Sequence, residues 1–568
     1  MTATLSHRKK LRFWGWGYAD EGLTEDEEAH LGRVAQGMGA AATRASAPVL
    51  DDFVLPAPRI TPSAAVAGFL SATPYDRITH GYGKSFADLV RLQMREMPNP
   101  PDWVAFPKSE DDLGELIGFA DAAGVALIPF GGGTSVCGGV EPDVGGDYSA
   151  AISVDLQYFN RVLEVDTSSR AALIEGGALG PELEAQLKPH GLTLRHFPQS
   201  FEFSTLGGWI ATRAGGHFAT NYTHIDDFVE SIRMVTPSGV MESRRLPGSG
   251  AGPSPDRLMI GSEGTLGFIT RAWLRLQARP RFRASASVSF PGMETACQAV
   301  RAISHSGLFP SNCRLLDPAE ASMNGVGDGK SAILVLAFES ADHPLDAWID
   351  RALELCADYG GDWDQEALAR SRAGAVTAAD GRRGGAAATW RQQFLRAPYF
   401  RNFLTPAGII ADTFESAVTW DRFDAFYAGV RERVSSVLRE LTGAECAVTC
   451  RFTHVYPNGP APYFTVFALG SDSGDMGAML GRWREFKLAA NEVVTALGGT
   501  VTHHHAVGRD HRPSGYDNQA PTLFREAFAG ARKALDPSGM MNPGVLIDTP
   551  GRSATVGGVM RGYFRKAN

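Results

Sequence analysis

Apolar residues along the chain repeat with two different periods, which predict strands and amphipathic helices. Short apolar runs such as Val125 to Ile128 and Ala151 to Leu156 have the length of buried strands. From Ser109 to Ala123, apolar residues instead recur every three or four positions, which predicts a helix capped by Ser109. This succession of strands and helices continues from Trp103 to about Gln277 and predicts an α/β region.

The pattern differs on either side of this region. Before it, helices are predicted near Thr24 and from Phe86 to Met94, and the run from Pro98 to Pro101 breaks the chain. After it, glycine becomes rare and strands pair with amphipathic helices, which predicts an antiparallel sheet with helices on one face. The strands are predicted at residues 286–290, 313–317, 332–338, 409–414, 448–455 and 463–469. A stretch rich in Gly, Ala and Arg, residues 374–385, predicts a mobile loop.

Three loops rich in glycine and hydroxyl residues interrupt the α/β region. The first, PFGGGTSVCGG, runs from Pro129 to Gly139; the second lies within Phe197 to Gly216; the third, IGSEGTLGFIT, runs from Ile260 to Thr270. Glycine permits positive φ and close approach of a ligand to the backbone, whose N–H groups can converge on an anion such as pyrophosphate. One such loop is often only a flexible turn, but three in succession favour a dinucleotide site.

Composition narrows the class of protein. The 568 residues suffice for two or three domains, and the formal charge of −9 argues against a nucleic-acid partner. The six cysteines show no disulfide-like pattern, which indicates reduced thiols and a cytoplasmic location. No signal peptide, transmembrane segment or peroxisomal ending is predicted. A basic stretch as short as His7 to Arg12 is most often solvent-exposed chain near the N-terminus. Contact with a membrane surface or a partner is the alternative.

The three loops, with the MMNPG stretch from Met540 to Gly544, resemble the vanillyl-alcohol-oxidase type of FAD-binding flavoprotein. The resemblance implies an α+β fold with a split, two-part FAD-binding domain, an antiparallel-sheet cap or substrate domain and a helical N-terminal lead-in. The implied boundaries are residues 1–97 for the helical region, 98–278 for the FAD-binding domain, 279–500 for the cap, and 501–568 for the segment returning to the flavin. Noncovalent FAD would be bound by Pro129, Gly131, Gly132, Gly133, Thr134, Ser135, Gln199, Ser200, Ser204, Thr205, Thr212, Arg213, Ala214, Glu263, Gly264, Thr265, Gly267 and Ile269.

Within this type, the chain is most similar to the alkyldihydroxyacetonephosphate synthases. The similarity rests on SFEFSTLGGWIATRAGG, CRLLD, RNFLTPAGIIADTFESAVTWDRF and HHHAVG. It implies a homodimeric transferase of ether-lipid synthesis that exchanges the acyl chain of acyl-dihydroxyacetonephosphate for a long-chain fatty alcohol, redox-neutral through a flavin N5 adduct. Its catalytic residues would be Tyr463, His503, His504, His505, Arg401 and Arg314, with no metal. Gly215-Gly216-His217-Phe218 departs from the animal enzymes, which carry a serine and lysines there. The expected absence of a peroxisomal signal indicates a bacterial-type relative.

These residue types suit such a reaction. Histidine can accept a proton near pH 7, a phenol can shuttle protons at the ester carbon, and arginine binds phosphate through its planar fork. Each has a structural alternative. Tyr463 lies on a predicted strand and could pack in the core, Arg314 could form a structural ion pair, and adjacent histidines on a strand point to opposite faces.

A second interpretation is an FAD-linked 2-hydroxyacid dehydrogenase or related oxidase on the same fold. Such enzymes typically carry Gly-Glu-His-Gly where this chain has His503-His504-His505-Ala506, and a metal-binding histidine motif in the cap that this sequence does not show. A third is a flavin-free binding protein on the same scaffold, which the three intact glycine loops disfavour.

Overall fold

The computed structural model describes residues 8–40, 45–373 and 396–549, so the predicted mobile loop at residues 374–385 lies outside the described residues. The helices are α1 Glu25–Gly37, α2 Ala64–Ala67, α3 Pro74–Thr79, α4 Phe86–Gln93, α5 Glu110–Ala123, α6 Gly180–Leu187, α7 Leu206–Thr212, α8 Pro255–Met259, α9 Met293–His305, α10 Pro318–Met323, α11 Asp346–Ala357, α12 Gln365–Ala373, α13 396–404, α14 Trp420–Thr442, α15 Met476–Ala496, α16 Asp517–Gln519 and α17 Thr522–Leu535. The strands are β1 Leu70–Ser71, β2 Trp103–Ala105, β3 Val125–Phe130, β4 Ala150–Asp155, β5 Val162–Asp166, β6 Ala171–Glu175, β7 Leu192–Thr193, β8 Val229–Thr236, β9 Gly239–Glu242, β10 Phe268–Arg275, β11 Gln277–Ala278, β12 Phe282–Phe290, β13 Asn312–Leu316, β14 Ala332–Ser340, β15 Asp362–Trp363, β16 Ile409–Glu415, β17 Cys446–Tyr456 and β18 Gly459–Leu469.

Local sequence explains where several helices begin and end. Thr24 caps α1 in a capping box with Glu27, and Ser109 caps α5 by accepting from the N–H of Asp112. Gly124 ends α5 with a φ of 65°, a left-handed conformation that favours glycine. The predicted helices at these positions are confirmed.

Two large sheets form most of the N-terminal half, beside a two-stranded sheet of β7 and β11. The first has the order β1-β2-β4-β3, in which β4 runs parallel to both β2 and β3. The second is antiparallel, with the order β5-β6-β10-β8-β9. The C-terminal segment then returns to the first sheet: the N–H of Leu127 donates to the carbonyl of Met540 at 2.9 Å, and the N–H of Asn542 donates back to the Leu127 carbonyl at 2.9 Å. A stretch far along the chain thus joins the edge of the first sheet.

The third large unit is a seven-stranded sheet with the order β15-β12-β14-β13-β17-β18-β16, antiparallel throughout. Helices α9, α11 and α14 bury one of its faces in the largest hydrophobic core. Alternation along β17 sends Cys450 and Phe452 into that core, whereas Arg451 and Thr453 face the other side. That other side lines a cavity. Within the described residues, no helix is long and apolar enough to cross a bilayer.

Candidate active site

A cavity of about 550 Å³ lies between the free face of the seven-stranded sheet and the glycine loops. Helices α1 and α13 also contribute side chains to its wall. A smaller cavity of about 110 Å³ adjoins it, and both are lined by Gly131, Ser135, Thr205, Gly208 and Thr212. The two cavities therefore share a wall made by the first two glycine loops.

Most residues predicted to bind FAD line one of these cavities. Those at the larger one are Gly131, Gly132, Gly133, Thr134, Ser135, Gln199, Ser200, Ser204, Thr205, Thr212 and Ala214. Those at the smaller one include Pro129, Glu263, Gly264, Gly267 and Ile269. Arg213 and Thr265 line neither: the Arg213 guanidinium lies 2.8 Å from a carboxylate oxygen of Asp226, and the buried Thr265 hydroxyl donates to the Ser262 carbonyl at 2.7 Å.

Glycines in the first loop allow it to pack directly against the second. A Cβ atom on Gly132 would lie 1.6 Å from the Phe203 carbonyl oxygen, and one on Gly131 would lie 2.5 Å from Thr205 Oγ1. Gly133 has a φ of 65°, which disfavours other residues. In the described part of the chain, the backbone N–H groups of residues 132–135 donate to no protein acceptor. Such a row of available donors fits the pyrophosphate of a dinucleotide such as FAD.

Gly132→Ala is expected to abolish FAD retention, because the added methyl group and the Phe203 carbonyl cannot both keep their places and the loop must shift. The measurement is flavin absorbance per mole of purified protein. Gly118→Ala is the matched control, since no atom lies within 4 Å of its added Cβ on helix α5. Stoichiometric FAD in Gly132→Ala would show that the loop tolerates displacement and does not anchor the cofactor.

The third loop connects to the C-terminal segment through Glu263. Its carboxylate accepts the backbone N–H groups of Val507 at 2.8 Å and Gly508 at 2.7 Å. The side-chain amide of Asn542 donates to the Glu263 carbonyl at 2.7 Å. Burial raises the pKa of Glu263 to about 7, although these two N–H donors oppose the shift. Glu263 therefore fixes the returning segment against the loop.

The three consecutive histidines at residues 503–505, the histidine run, surround the buried carboxylate of Glu415 at the end of β16. Glu415 is 2% exposed and accepts the backbone N–H groups of His503, His504 and His505, each at 2.8 Å. It also accepts the Thr502 hydroxyl at 2.7 Å. Burial alone would raise the pKa of Glu415, but the imidazoles of His504 and His505 hold it well below its usual range. Residues 503–505 consequently form a bend and not a strand, so strand alternation does not decide which way their side chains point.

Two of the three histidines reach the cavity. His504 and His505 line it, whereas His503 lies behind them. Nδ1 of His504 is 3.1 Å from a carboxylate oxygen of Glu415. Because an ionised carboxylate only accepts hydrogen bonds, this contact assigns the hydrogen to Nδ1 and leaves a lone pair on Nε2. Burial lowers the pKa of His505 to about 3 and that of His503 well below its ordinary value, so both are neutral at pH 7.

Sheet register places three functional groups side by side. Tyr463 on β18 is directly opposite Glu415 on β16 and Arg451 on β17. The Arg451 guanidinium lies over the Tyr463 ring, 4.0 Å from its centroid, and forms a buried ion pair with Glu320. The Tyr463 ring is also 6.1 Å from that of His504, centroid to centroid. The tyrosine is therefore packed between a cation and the histidine run.

Both predicted arginines line the same cavity. Arg314 is 1% exposed, and burial lowers its pKa to about 9. Arg401 lies on α13, and its Nη2 is 3.4 Å from Asp412 Oδ1 and 3.4 Å from Thr413 Oγ1. The structure thus brings Tyr463, His504, His505, Arg314 and Arg401 together.

Sequence reasoning missed Glu415, Glu320, Arg451 and His454. Arg451 was detectable as the one charged residue of the otherwise uncharged strand CAVTCRFTHVY. The register shift between Phe452 and His454 is a bulge, and it turns both Thr453 and His454 towards the cavity. A bulge that redirects side chains is common beside active sites. No feature of the local sequence predicts this bulge.

Two groups of these side chains come close enough to hold a metal ion: His454, His503 and His504, and Glu415, His504 and His505. Hydrogen bonds already use most of the donor atoms. Glu415 accepts four groups from residues 502–505, Nε2 of His454 is 2.9 Å from the Gly216 carbonyl, and Nε2 of His503 is 2.9 Å from the Tyr456 hydroxyl. These bonds account for the arrangement without an ion.

Comparison with known proteins first defines the class. Residues 101–243 match the family described as "FAD binding domain", and residues 279–546 match "FAD linked oxidases, C-terminal domain". The protein is an FAD-dependent enzyme with this two-part fold, which confirms the predicted cofactor and fold class. A solved structure of alkyldihydroxyacetonephosphate synthase, in P212121, superposes with a TM-score of 0.77 at 25% identity and covers 94% of this chain and 98% of that one.

Two curated relatives define the family. Alkyldihydroxyacetonephosphate synthase of Dictyostelium discoideum is 30% identical over 487 residues, which cover 83% of this chain and 77% of the relative. The protein of the same name from Trypanosoma brucei brucei is 31% identical over 489 residues, covering 84% and 78%. The chain belongs to the alkyldihydroxyacetonephosphate synthase family, as its motifs predict.

Proposed function

We propose that this protein exchanges the acyl chain of acyl-dihydroxyacetonephosphate for a long-chain fatty alcohol. The observation that carries the proposal is that cationic, acid–base and apolar side chains share one cavity. Arg314, Arg401, His504 and Tyr463 line it together with the apolar residues Leu31, Val34, Met38, Phe400, Leu404 and Phe467. A substrate with both a phosphate and an alkyl chain matches this mixture, whereas a small hydroxyacid would leave the apolar wall unused.

The arginines are proposed to bind the substrate phosphate. Arg401 keeps only long contacts of 3.4 Å with Asp412 and Thr413, so its guanidinium can also bind a ligand oxygen. Arginine recognises phosphate with two parallel N–H donors, which fixes orientation as well as charge. Arg451 is held by Glu320 and instead positions the Tyr463 ring.

Proton transfer is proposed for His504 and Tyr463. The lone pair on Nε2 of His504 can accept a proton from C1 of the substrate, and the phenol of Tyr463 can donate to the departing carboxylate. When the alcohol oxygen then bonds to C1, its hydroxyl proton restores the Tyr463 phenol, and His504 returns a proton to C1. When bound, FAD would supply the electrophilic flavin ring that the exchange needs. The cofactor is proposed to be noncovalent. Cys137 follows the first loop, but burial raises its pKa well above the ordinary value, and its Sγ donates to the His505 carbonyl at 3.2 Å.

Entry of the lipid from a membrane surface is proposed at the part of the cavity wall formed by α1 and α10. His30 is exposed there, and Met323 is 42% exposed, although both line the cavity. The homodimer and the cytoplasmic location stay predictions.

The test is a product assay with the FAD-loaded protein, acyl-dihydroxyacetonephosphate and an isotopically labelled fatty alcohol. An ether-linked phospholipid precursor carrying the label, with release of free fatty acid, is the expected outcome. Arg401→Gln should raise KM for the phosphate-bearing substrate by about tenfold or more, since a hydrogen bond to a charged group is worth roughly 1.5–3 kcal/mol. Absence of product, combined with dye reduction by D-lactate, would favour the 2-hydroxyacid dehydrogenase interpretation.

A further inference from the structure

Asp412 lies on β16, the outermost strand of the seven-stranded sheet, and its side chain is buried. Alternation along β16 places it on the face of Ile410 and Phe414, which pack in the core beside Trp483 of helix α15. Arg401 on α13 contacts the same carboxylate and lines the large cavity. Asp412 is therefore shared between a cavity residue and helix α15.

The two carboxylate oxygens of Asp412 have different partners. Oδ2 accepts the indole N–H of Trp483 at 2.8 Å, and the Lys487 ammonium lies 3.6 Å from the same oxygen. Oδ1 is 3.4 Å from Nη2 of Arg401. Lys487 also donates to the carbonyl of Thr413 at 3.3 Å, which fixes the position of its ammonium. The shorter hydrogen bond of this carboxylate is therefore with α15 and not with Arg401.

Lys487 contacts this carboxylate from outside the large cavity. It is buried, does not line the large cavity, and lies with Trp483 at a separate cavity of about 90 Å³. Among the described residues, its ammonium forms an ion pair with Asp412 and with no other carboxylate. Burial alone would raise the pKa of Asp412, but Lys487 and Arg401 hold it below its ordinary value. Two cations thus share one ionised carboxylate, which leaves one positive charge unbalanced.

We propose that Lys487 and Trp483 are positioning residues that keep Asp412 turned towards α15 and so leave Arg401 free to bind the substrate phosphate. This inference rests on the proposed role of Arg401. A carboxylate paired with Arg401 alone would occupy two of its N–H donors in the bidentate arrangement and neutralise its charge. Because charges interact more strongly in a buried site than in water, Lys487 sets phosphate affinity without touching the substrate.

The test measures how tightly the FAD-loaded full-length protein binds radiolabelled dihydroxyacetone phosphate in equilibrium dialysis. Lys487→Met removes the ammonium, so Asp412 can pair fully with Arg401. The dissociation constant should rise by about three- to tenfold, a part of the loss expected for Arg401→Gln. In the product assay, KM for acyl-dihydroxyacetonephosphate should rise likewise, whereas kcat and KM for the uncharged alcohol should change much less.

A second substitution separates the effect of charge from that of packing. Lys487→Met/Asp412→Asn also removes the competing carboxylate, so phosphate affinity should return to the wild-type value. A loss caused only by altered packing of α15 would persist, because a further change at a buried contact does not repair it. Trp483→Phe replaces Lys487→Met if that variant folds poorly. Loss of the indole N–H should also weaken phosphate binding, and Asp412→Asn should restore it.

Arg482→Met is the matched control for Lys487→Met. Arg482 lies on the same helix, donates to the carbonyl of Gly470, and lines none of the three cavities. Its substitution removes one cation without altering a contact of Asp412. Phosphate affinity in this variant should therefore match wild type.

The outcomes distinguish this inference from the proposed function. Unchanged phosphate affinity in Lys487→Met, or a loss that Asp412→Asn does not restore, would overturn the inference. If Arg401→Gln weakens phosphate binding while Lys487→Met and Trp483→Phe do not, only the positioning role fails. Wild-type affinity in Arg401→Gln would refute the phosphate-binding role of Arg401 and the inference with it. Normal phosphate binding without any ether product would instead refute the proposed reaction and leave the positioning role supported.

Discussion

His504→Ala is expected to lower turnover by roughly 10²–10⁴-fold while FAD stays bound, which is the usual contribution of a positioned acid–base group. The expectation rests on the orientation of the imidazole. Its Nδ1 faces Glu415 at 3.1 Å, so the unprotonated Nε2 remains for the substrate. His504 is not needed to hold the first glycine loop, whose packing depends on Phe203 and Thr205. Flavin content should therefore match wild type.

The measurement is kcat for labelled ether product, normalised to bound flavin. His190→Ala provides the control, because His190 is exposed and does not line the cavity. His505→Ala, examined in parallel, distinguishes the two histidines that line the cavity. A His504→Ala enzyme within a few-fold of wild type, beside an inactive His505→Ala enzyme, would transfer the role of base to His505.

Glu415→Gln is expected to cause a comparable loss of turnover and a loss of stability as well. One carboxylate oxygen accepts donors from Thr502, His504 and His505, and the other faces the N–H of His503 and Nδ1 of His504. In glutamine, the amide oxygen can accept the donors of only one of these two sets. If it faces Thr502, His504 and His505, the amide NH₂ group faces the N–H of His503 and Nδ1 of His504, which then lose their acceptor. Leaving buried donors without an acceptor costs roughly 1–3 kcal/mol each.

The same substitution should invert the hydrogen placement on His504. An amide NH₂ group donates to Nδ1, so the ring hydrogen moves to Nε2 and the lone pair no longer faces the cavity. Converting a carboxylate that fixes a catalytic imidazole into its amide lowers kcat by about 10⁴-fold in a serine protease, which sets the scale expected here. Turnover per bound flavin and the midpoint of thermal unfolding are the two measurements.

Asp102→Asn is the matched control for Glu415→Gln. Asp102 is likewise buried, at 2% exposure, and accepts the backbone N–H of Ala151 at 2.9 Å and that of Arg59 at 2.7 Å. It lies outside both cavity linings. Asp102→Asn should lower the unfolding midpoint but leave kcat unchanged. If Glu415→Gln likewise lost only stability, Glu415 would be a structural residue and would not orient the base.

Many local features follow from the sequence alone. Thr24 and Ser109 accept N–H donors within one helical turn, so the starts of α1 and α5 are set by residues three positions apart. The glycine loops are equally local, because positive φ and the absence of Cβ are properties of single residues. Together with the MMNPG ending, these loops identify the FAD-binding fold and the family.

Only the tertiary structure decides which side chains share the site. Glu415 accepts the N–H of His503, which lies 88 positions further along the sequence. The sequence alone does not predict this contact, because no local pattern near either residue indicates the other. The strand register places Arg451 beside Tyr463, and a bulge turns His454 inward. A one-residue change in register would reverse which face these side chains occupy, and packing of the whole sheet sets that register. The sequence thus determined the cofactor class and the candidate histidines, whereas long-range packing selected His504 and His505 for the cavity and placed His503 behind them.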